Sequence, residues 1–285
     1  MVPALLIMIR EGFEAALVVA IVFAYLRRIG RLDLGRSAWV GVAAATACSL
    51  AVGVIVRLTL GNLVGAARMR AFAAVSFAAV VVLTWMVFWM RRQSRAIKGD
   101  LEHKVDTALG SDNPHRAVML VTFMAVIREG IEAALFLLAA STSSGGGEVL
   151  VGGLLGLAIA IVLGLAVYVG GRKLPMRLFF RVTGMIIVVF AAGLMARTVL
   201  FLQSAGDLGT VADSVYDLTS VTWLTQRAES GKMLAALFGW DPRPSLEQVV
   251  AWVGYFVPVT YLYLREPRTP APVAAETARE TAAAR

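Results

Sequence analysis

Apolar residues fill long uninterrupted stretches of this chain, and polar residues gather between them. Seven stretches are nearly free of charge, at about 3–26, 37–57, 70–90, 117–140, 149–170, 178–202 and 248–264. A helix needs roughly 17–25 apolar residues to cross a bilayer, so each stretch predicts a transmembrane helix. The period-2 alternation of a membrane barrel is missing. The fold class is therefore an all-α membrane protein with seven transmembrane helices. The first stretch lacks a basic leader and is broken by Arg10, Glu11 and Glu14, so it reads as a retained span and not as a signal peptide.

The segments between the spans are short or strongly polar. Residues 91–116 are charged and read as helical through LEHKVDTAL, with a break at SDNP. STSSGGG at 141–147 is a short external connection, and 203–247 is the longest external segment. Residues 1–265 form one membrane domain, with halves of about 1–116 and 117–202 and a last helix at 248–264. Residues 266–285, rich in Ala, Pro and Thr, read as a disordered cytoplasmic tail.

Composition agrees: 59% hydrophobic residues and a mean hydropathy of +0.75 exclude a soluble domain of this length. The net charge of +8 changes the picture only through its distribution. Eighteen Lys and Arg fall in alternate connections and the tail, six fall on the opposite side, and Arg10, Arg128 and Arg197 lie within spans. Basic residues stay cytoplasmic, so the N-terminus is placed outside and the C-terminus in the cytoplasm. This pattern is a topology signal and excludes a nucleic-acid partner; the lipid bilayer is the partner it implies. Cys48 is the only cysteine, which rules out an intrachain disulfide, and it reads as a small core residue.

The candidate chemistry lies in a repeat. MIREGFEAAL at 8–17 returns as VIREGIEAAL at 126–135, with eight of ten residues matching. The 118-residue offset spans three helices, an odd number, so the second copy enters the membrane upside down. This predicts a 3+3 inverted repeat plus a seventh helix, with a binding site near mid-membrane. On a helix, Arg10, Glu11 and Glu14 share one stripe, as do Arg128, Glu129 and Glu132. Gly12 and Gly130 are small and support close helix approach. Six charges facing lipid at mid-membrane would cost roughly 15–20 kcal/mol, so they must face one another or a wet cavity. Carboxylate oxygens suit a hard cation, which makes Glu11, Glu14, Glu129 and Glu132 candidate metal ligands, with Arg10 and Arg128 supporting. A rival reading has each arginine pairing one glutamate of its own helix as a packing device; it leaves Glu11 and Glu129 without a partner. An intramembrane metalloenzyme is disfavoured because no His accompanies the carboxylates in any span. No nucleotide-binding glycine loop is present, and no tightly bound cofactor is expected.

These segments resemble the twin Arg-Glu-Gly-x-Glu motifs of the oxidase-dependent iron transporter family, which includes fungal high-affinity and bacterial EfeU-type iron permeases. LTWMVFWMRR at 83–92, LEHKVDTAL at 101–109, FLLAA at 136–140, VVFAAGL at 188–194 and ALFGW at 236–240 extend the likeness over about 1–265. The resemblance implies a non-enzymatic, multi-pass permease domain of the plasma (inner) membrane that imports iron (Fe2+ or Fe3+) as its substrate through the four glutamates. It also implies external partners: an oxidase, or a periplasmic iron-binding protein with a haem peroxidase. The chain departs from the resemblance where Phe72, Gln203 and Ser204 replace acidic or His-Glu positions at the outer face. Another divalent cation, such as lead or manganese, is the alternative cargo. Asp217 and Asp213 are candidates to guide cations to the outer opening. His103 and His115 read as surface histidines, and Trp85, Trp89 and Trp252 as interface anchors. Arg197 either neutralises the carboxylates or reaches for the outer interface.

Overall fold

The computed structural model describes residues 1–93, 97–142, 145–170, 176–226 and 228–265. Its longer elements are nine helices: α1 (Val2–Arg28), α2 (Gly35–Gly61), α3 (Gly65–Gln93), α4 (Ile97–Leu109), α5 (Pro114–Ser141), α6 (Gly146–Gly170), α7 (Met176–Ala205), α8 (Glu229–Phe238) and α9 (Leu246–Leu264). Among the described residues there is no strand. Each of the seven apolar stretches lies within a helix, and the helices overrun the stretches by up to five residues. Apolar windows mark the hydrocarbon layer, whereas a helix continues until something satisfies its terminal amides and carbonyls. At SDNP that partner is Asn113, whose side chain accepts from the Arg116 amide directly before α5.

Four helices are long and apolar enough to cross a membrane: α2, α3, α6 and α7. α1 and α5 are as long but carry the charged motif in mid-helix. Large apolar residues on α2 (Leu50, Val54, Ile55, Leu58) and on α6 (Leu154, Ile161, Val162, Leu165) point outward, as a lipid-facing surface requires. The chain is a multi-pass membrane protein. Cys48 lies on this outward surface and not in the core. A lipid-facing helix has no polar side, so apolar periodicity does not separate its core face from its outer face.

Two stripes of small residues fix how the helices pair. On α6, Gly152, Gly156, Ala160 and Gly164 face Met1, Leu5, Gly12 and Ala16 of the α1 region. On α2, Gly41, Ser49 and Gly53 face Met119, Gly130 and Ala134 of α5. Residue numbers rise together in both pairs, so α1 lies parallel to α6 and α2 lies parallel to α5. Small residues every fourth position let backbones approach and gain dispersion contact where lipid offers no hydrophobic drive. α1 and α5 run against each other. Ile7 shares a core with Phe136 and Ala139, while Val22 and Leu26 share another with Val118. α3 packs on α7, and α7 on α9, closing the first of these cores.

The segment at 203–247 is more ordered than its polarity suggests. It holds a 3-10 turn at Thr222–Leu224 and the short helix α8, which packs on α7. α8 ends at Gly239, whose φ of 66° lies in the left-handed region, and Gly239 sits against the backbone of Gly193. A side chain at either glycine would collide with backbone. α9 then begins with a capping box, in which Ser245 accepts from the Gln248 amide at 3.3 Å and Gln248 accepts from the Ser245 amide at 2.7 Å. Ser245→Ala is expected to lower stability by roughly 0.5–2 kcal/mol, measured by thermal unfolding in detergent, with transport otherwise unaltered.

Candidate functional site

The two motif copies meet. Glu11, Glu14 and Glu129 each offer a carboxylate oxygen within 4.8 Å of the other two. Arg10, Glu11, Glu14, Glu129 and Glu132 are all buried, whereas the Arg128 side chain is 43% exposed. Glu132 stands outside the three-carboxylate group but within electrostatic reach of Glu129, Arg128 and Arg10. The antiparallel packing of α1 on α5 produces this meeting, because it sets the middle of one helix beside the middle of the other.

Each arginine serves both glutamates of its own motif. Arg10 Nη1 donates to Glu11 Oε1 at 3.1 Å, and Arg10 Nε lies 3.3 Å from Glu14 Oε1. Arg128 Nε donates to Glu129 Oε1 at 2.9 Å, Arg128 Nη2 donates to the same oxygen, and Arg128 Nε lies 4.0 Å from Glu132 Oε1. Glu11 and Glu129 are therefore not left without partners, contrary to the expectation that a pairing role would strand them. The guanidinium is long enough to reach back to the adjacent residue, which counting by helical turn overlooks. Pairing still falls short of satisfying the carboxylates. Glu11 Oε2 and Glu129 Oε2 are buried with no hydrogen-bond partner among the described residues, and Glu14 Oε1 has the 3.3 Å ion pair with Arg10 but no hydrogen bond. Buried carboxylate oxygens in that condition are costly unless a cation or proton meets them.

The motif glycines serve the neighbouring helices. A Cβ at Gly12 would lie 2.9 Å from the Ala160 Cβ of α6, and one at Gly130 would lie 2.7 Å from the Ser49 Cβ of α2. Two residues of α3 belong to the site although spacing did not mark them. Met86 Sδ accepts from Arg10 Nη1 at 3.4 Å. The Arg128 guanidinium lies over the Trp89 ring, 4.5 Å from its centroid, so Trp89 is a neighbour of the site. The one available signal was Met86 and Trp89 standing three apart, on one face of an apolar helix. Trp85 is exposed, and Trp252 donates to the Phe238 carbonyl at 2.8 Å.

The residues expected at the outer face have partners of their own. Asp213 accepts from the Thr210 hydroxyl at 3.1 Å. Asp217 accepts from both the amide and the hydroxyl of Thr219, and these bonds hold its carboxyl below the usual range. Phe72 packs on Phe201 with ring centroids 5.6 Å apart. Gln203 donates to Glu247 at 3.1 Å and accepts from Ser245, so a carboxylate from α9 stands beside the position that lacks one. The Ser204 hydroxyl turns back to the Leu200 carbonyl. Arg197 Nη2 donates to the Ala235 carbonyl of α8 at 3.4 Å. His115 pairs with the Ser37 hydroxyl at 3.0 Å.

Long apolar helices enclosing a set of buried, underpaired carboxylates define a membrane protein of the transport class. The chain belongs to the iron permease FTR1 family, which it matches over residues 1–269. It is 38% identical to the ferrous iron permease EfeU of Escherichia coli O6:K15:H31 (strain 536 / UPEC) over 264 residues, covering 92% of this chain and 95% of that one. The ferrous iron permease EfeU of Shigella sonnei (strain Ss046) gives the same identity and coverage. That of Yersinia pestis is 37% identical over 276 residues, covering 96% and 97%. No solved structure matches the chain. The family consists of permeases, so the chain is a transporter and not an enzyme.

Proposed function

We propose that this chain imports ferrous iron across the inner membrane, with Glu11, Glu14, Glu129 and Glu132 as its mid-membrane ligands. The observation that carries the reading is the convergence of three buried carboxylate oxygens within 4.8 Å. Oxygen donors at that spacing suit a hard or borderline divalent cation. Four carboxylates and two guanidinium groups sum to −2 when ionised, which one divalent ion neutralises. The three relatives described above carry the name of ferrous iron permease, and membership of an iron permease family adds the cargo. Iron is then the substrate in passage. Arg10 and Arg128 hold the carboxylates in place, and Gly12 and Gly130 let α1 pack closely on α6 and α5 closely on α2.

In this reading the domain spans 1–265, crosses seven times, keeps its N-terminus outside, and consists of inverted halves with α9 added. The small-residue stripes support it. Met1, Gly12 and Ala16 meet α6 as Met119, Gly130 and Ala134 meet α2, each pair offset by the same 118 residues as the motif. Asp213, Asp217 and Glu247 line the outer segment through which cations arrive. A depression lined by Ala20, Tyr25, Arg28 and Glu102 lies beyond Glu14 on α1, towards the cytoplasmic end. The tail at 266–285 falls outside the described residues. An iron-binding protein with a haem peroxidase is the partner at the outer face; an oxidase there would deliver Fe3+ and so fits a ferric cargo instead.

The test is uptake of radiolabelled Fe2+ into vesicles holding the full chain, under anaerobic conditions, against Pb2+ and Mn2+. Saturable Fe2+ uptake above empty vesicles is expected. Uptake of Pb2+ or Mn2+ without Fe2+ would replace iron as the cargo. The aromatic pair at Phe72 and Phe201, in place of an outer carboxylate, is the observation that favours that second reading.

A further inference from the structure

Each motif arginine takes one oxygen of the glutamate that follows it and leaves the other unpaired. Arg10 holds Oε1 of Glu11 and Arg128 holds Oε1 of Glu129, while Oε2 of both stays buried without a hydrogen bond. The arginines thereby set the rotation of both carboxylates, and the unpaired oxygens are the ones available to a cation. What fixes the two arginines differs. Arg10 is 3% exposed at its side chain and is enclosed by Glu11, Glu14 and Met86. Arg128 is 43% exposed, and its contact with Glu132 is stretched to 4.0 Å. A long side chain this open loses its orientation unless a further contact holds it. The ring of Trp89 is that contact, with the guanidinium 4.5 Å from its centroid, and Trp85 stacks on Trp89 at 5.9 Å. An aromatic face attracts a guanidinium through its quadrupole.

We infer that Trp89 is a positioning residue of the cation site, acting through Arg128 to keep the free oxygen of Glu129 turned towards the cation. It rests on the cation-import reading above. α3 thus contributes one holding residue per arginine, Met86 to Arg10 and Trp89 to Arg128. Only the second pair is open enough for the holding residue to decide the orientation.

The test is a graded series, Trp89→Tyr, Trp89→Phe and Trp89→Leu, read by anaerobic Fe2+ binding to the solubilised full chain and by uptake into vesicles. Trp89→Leu is expected to raise both Kd and KM for Fe2+ about 3–10-fold with little change in maximal rate. Tyr restores most of the loss and Phe less. In an Arg128→Gln background, Trp89→Leu has no further effect on binding, because the residue through which it acts is gone. A Tyr variant no better than Leu overturns the inference, as does a Leu effect of full size in the Arg128→Gln background. Where Leu fails to insert, or Arg128→Gln binds too weakly to measure, the Trp, Tyr and Phe values decide, and three equal affinities overturn it. Wild-type vesicles that take up no Fe2+ defeat the import reading, and the binding series then still reads the role of Trp89.

Discussion

Glu129→Gln is expected to leave the protein inserted and folded while cutting Fe2+ uptake by at least about 100-fold, the upper end for residues that merely support a metal ligand. The substitution keeps size and shape and removes one negative charge from the centre of the cluster. Glu129 is the best carboxylate for this experiment because its arginine is half-exposed. Once Glu129 is neutral, Arg128 keeps Glu132, the Trp89 ring and access to water, so no guanidinium is stranded. Glu11→Gln is a poorer probe, since Arg10 is sealed and leans on Glu11 and Glu14 for counter-charge. Size-exclusion profiles and vesicle incorporation separate a folding defect from a transport defect. Uptake comparable to wild type would remove Glu129 from the cation path.

Gly130→Ala acts by a different physical route. The new Cβ would stand 2.7 Å from the Ser49 Cβ and closer still to its hydroxyl, in a position held by the bond from Ser49 Oγ to the Ala45 carbonyl at 2.8 Å. If α2 backs away to make room, it opens the close approach of Gly41 to the Met119 carbonyl on the same face. Overpacking of this kind is expected to cost about 1–3 kcal/mol, seen as a lower Tm in detergent and reduced incorporation. Ser49→Gly in the same chain frees the colliding atoms and is expected to restore most of the stability. Failure of that rescue would mean that the glycine is required for something other than close approach.

Most of the helical framework could be read from the chain, because lipid imposes length and apolarity on anything that crosses it. The twin motif was equally legible: charge is so costly in an apolar stretch that six charged residues stand out unaided. The partners of those charges were not. Met86 and Trp89 look like ordinary apolar residues of α3, and only tertiary packing brings them to Arg10 and Arg128. Cys48 was misplaced because lipid-facing and protein-facing sides of a membrane helix share one composition. The order within 203–247 escaped notice because α8 is short and is held by α7 and Gly239, with no strong pattern of its own.

The two small-residue stripes bear on how independent the halves are. α1 rests on α6 and α5 rests on α2, so each motif helix finishes its packing on a helix from the other half of the sequence. Taken as an inverted repeat, three such helices alone would leave a bare groove on one helix and an uncovered charged face on another. They would be whole only as an upside-down twin pair, and twins must treat their two arginines alike. Fusion into one chain lifts that obligation: one arginine can be walled in as a permanent counter-charge while the other stays in reach of water.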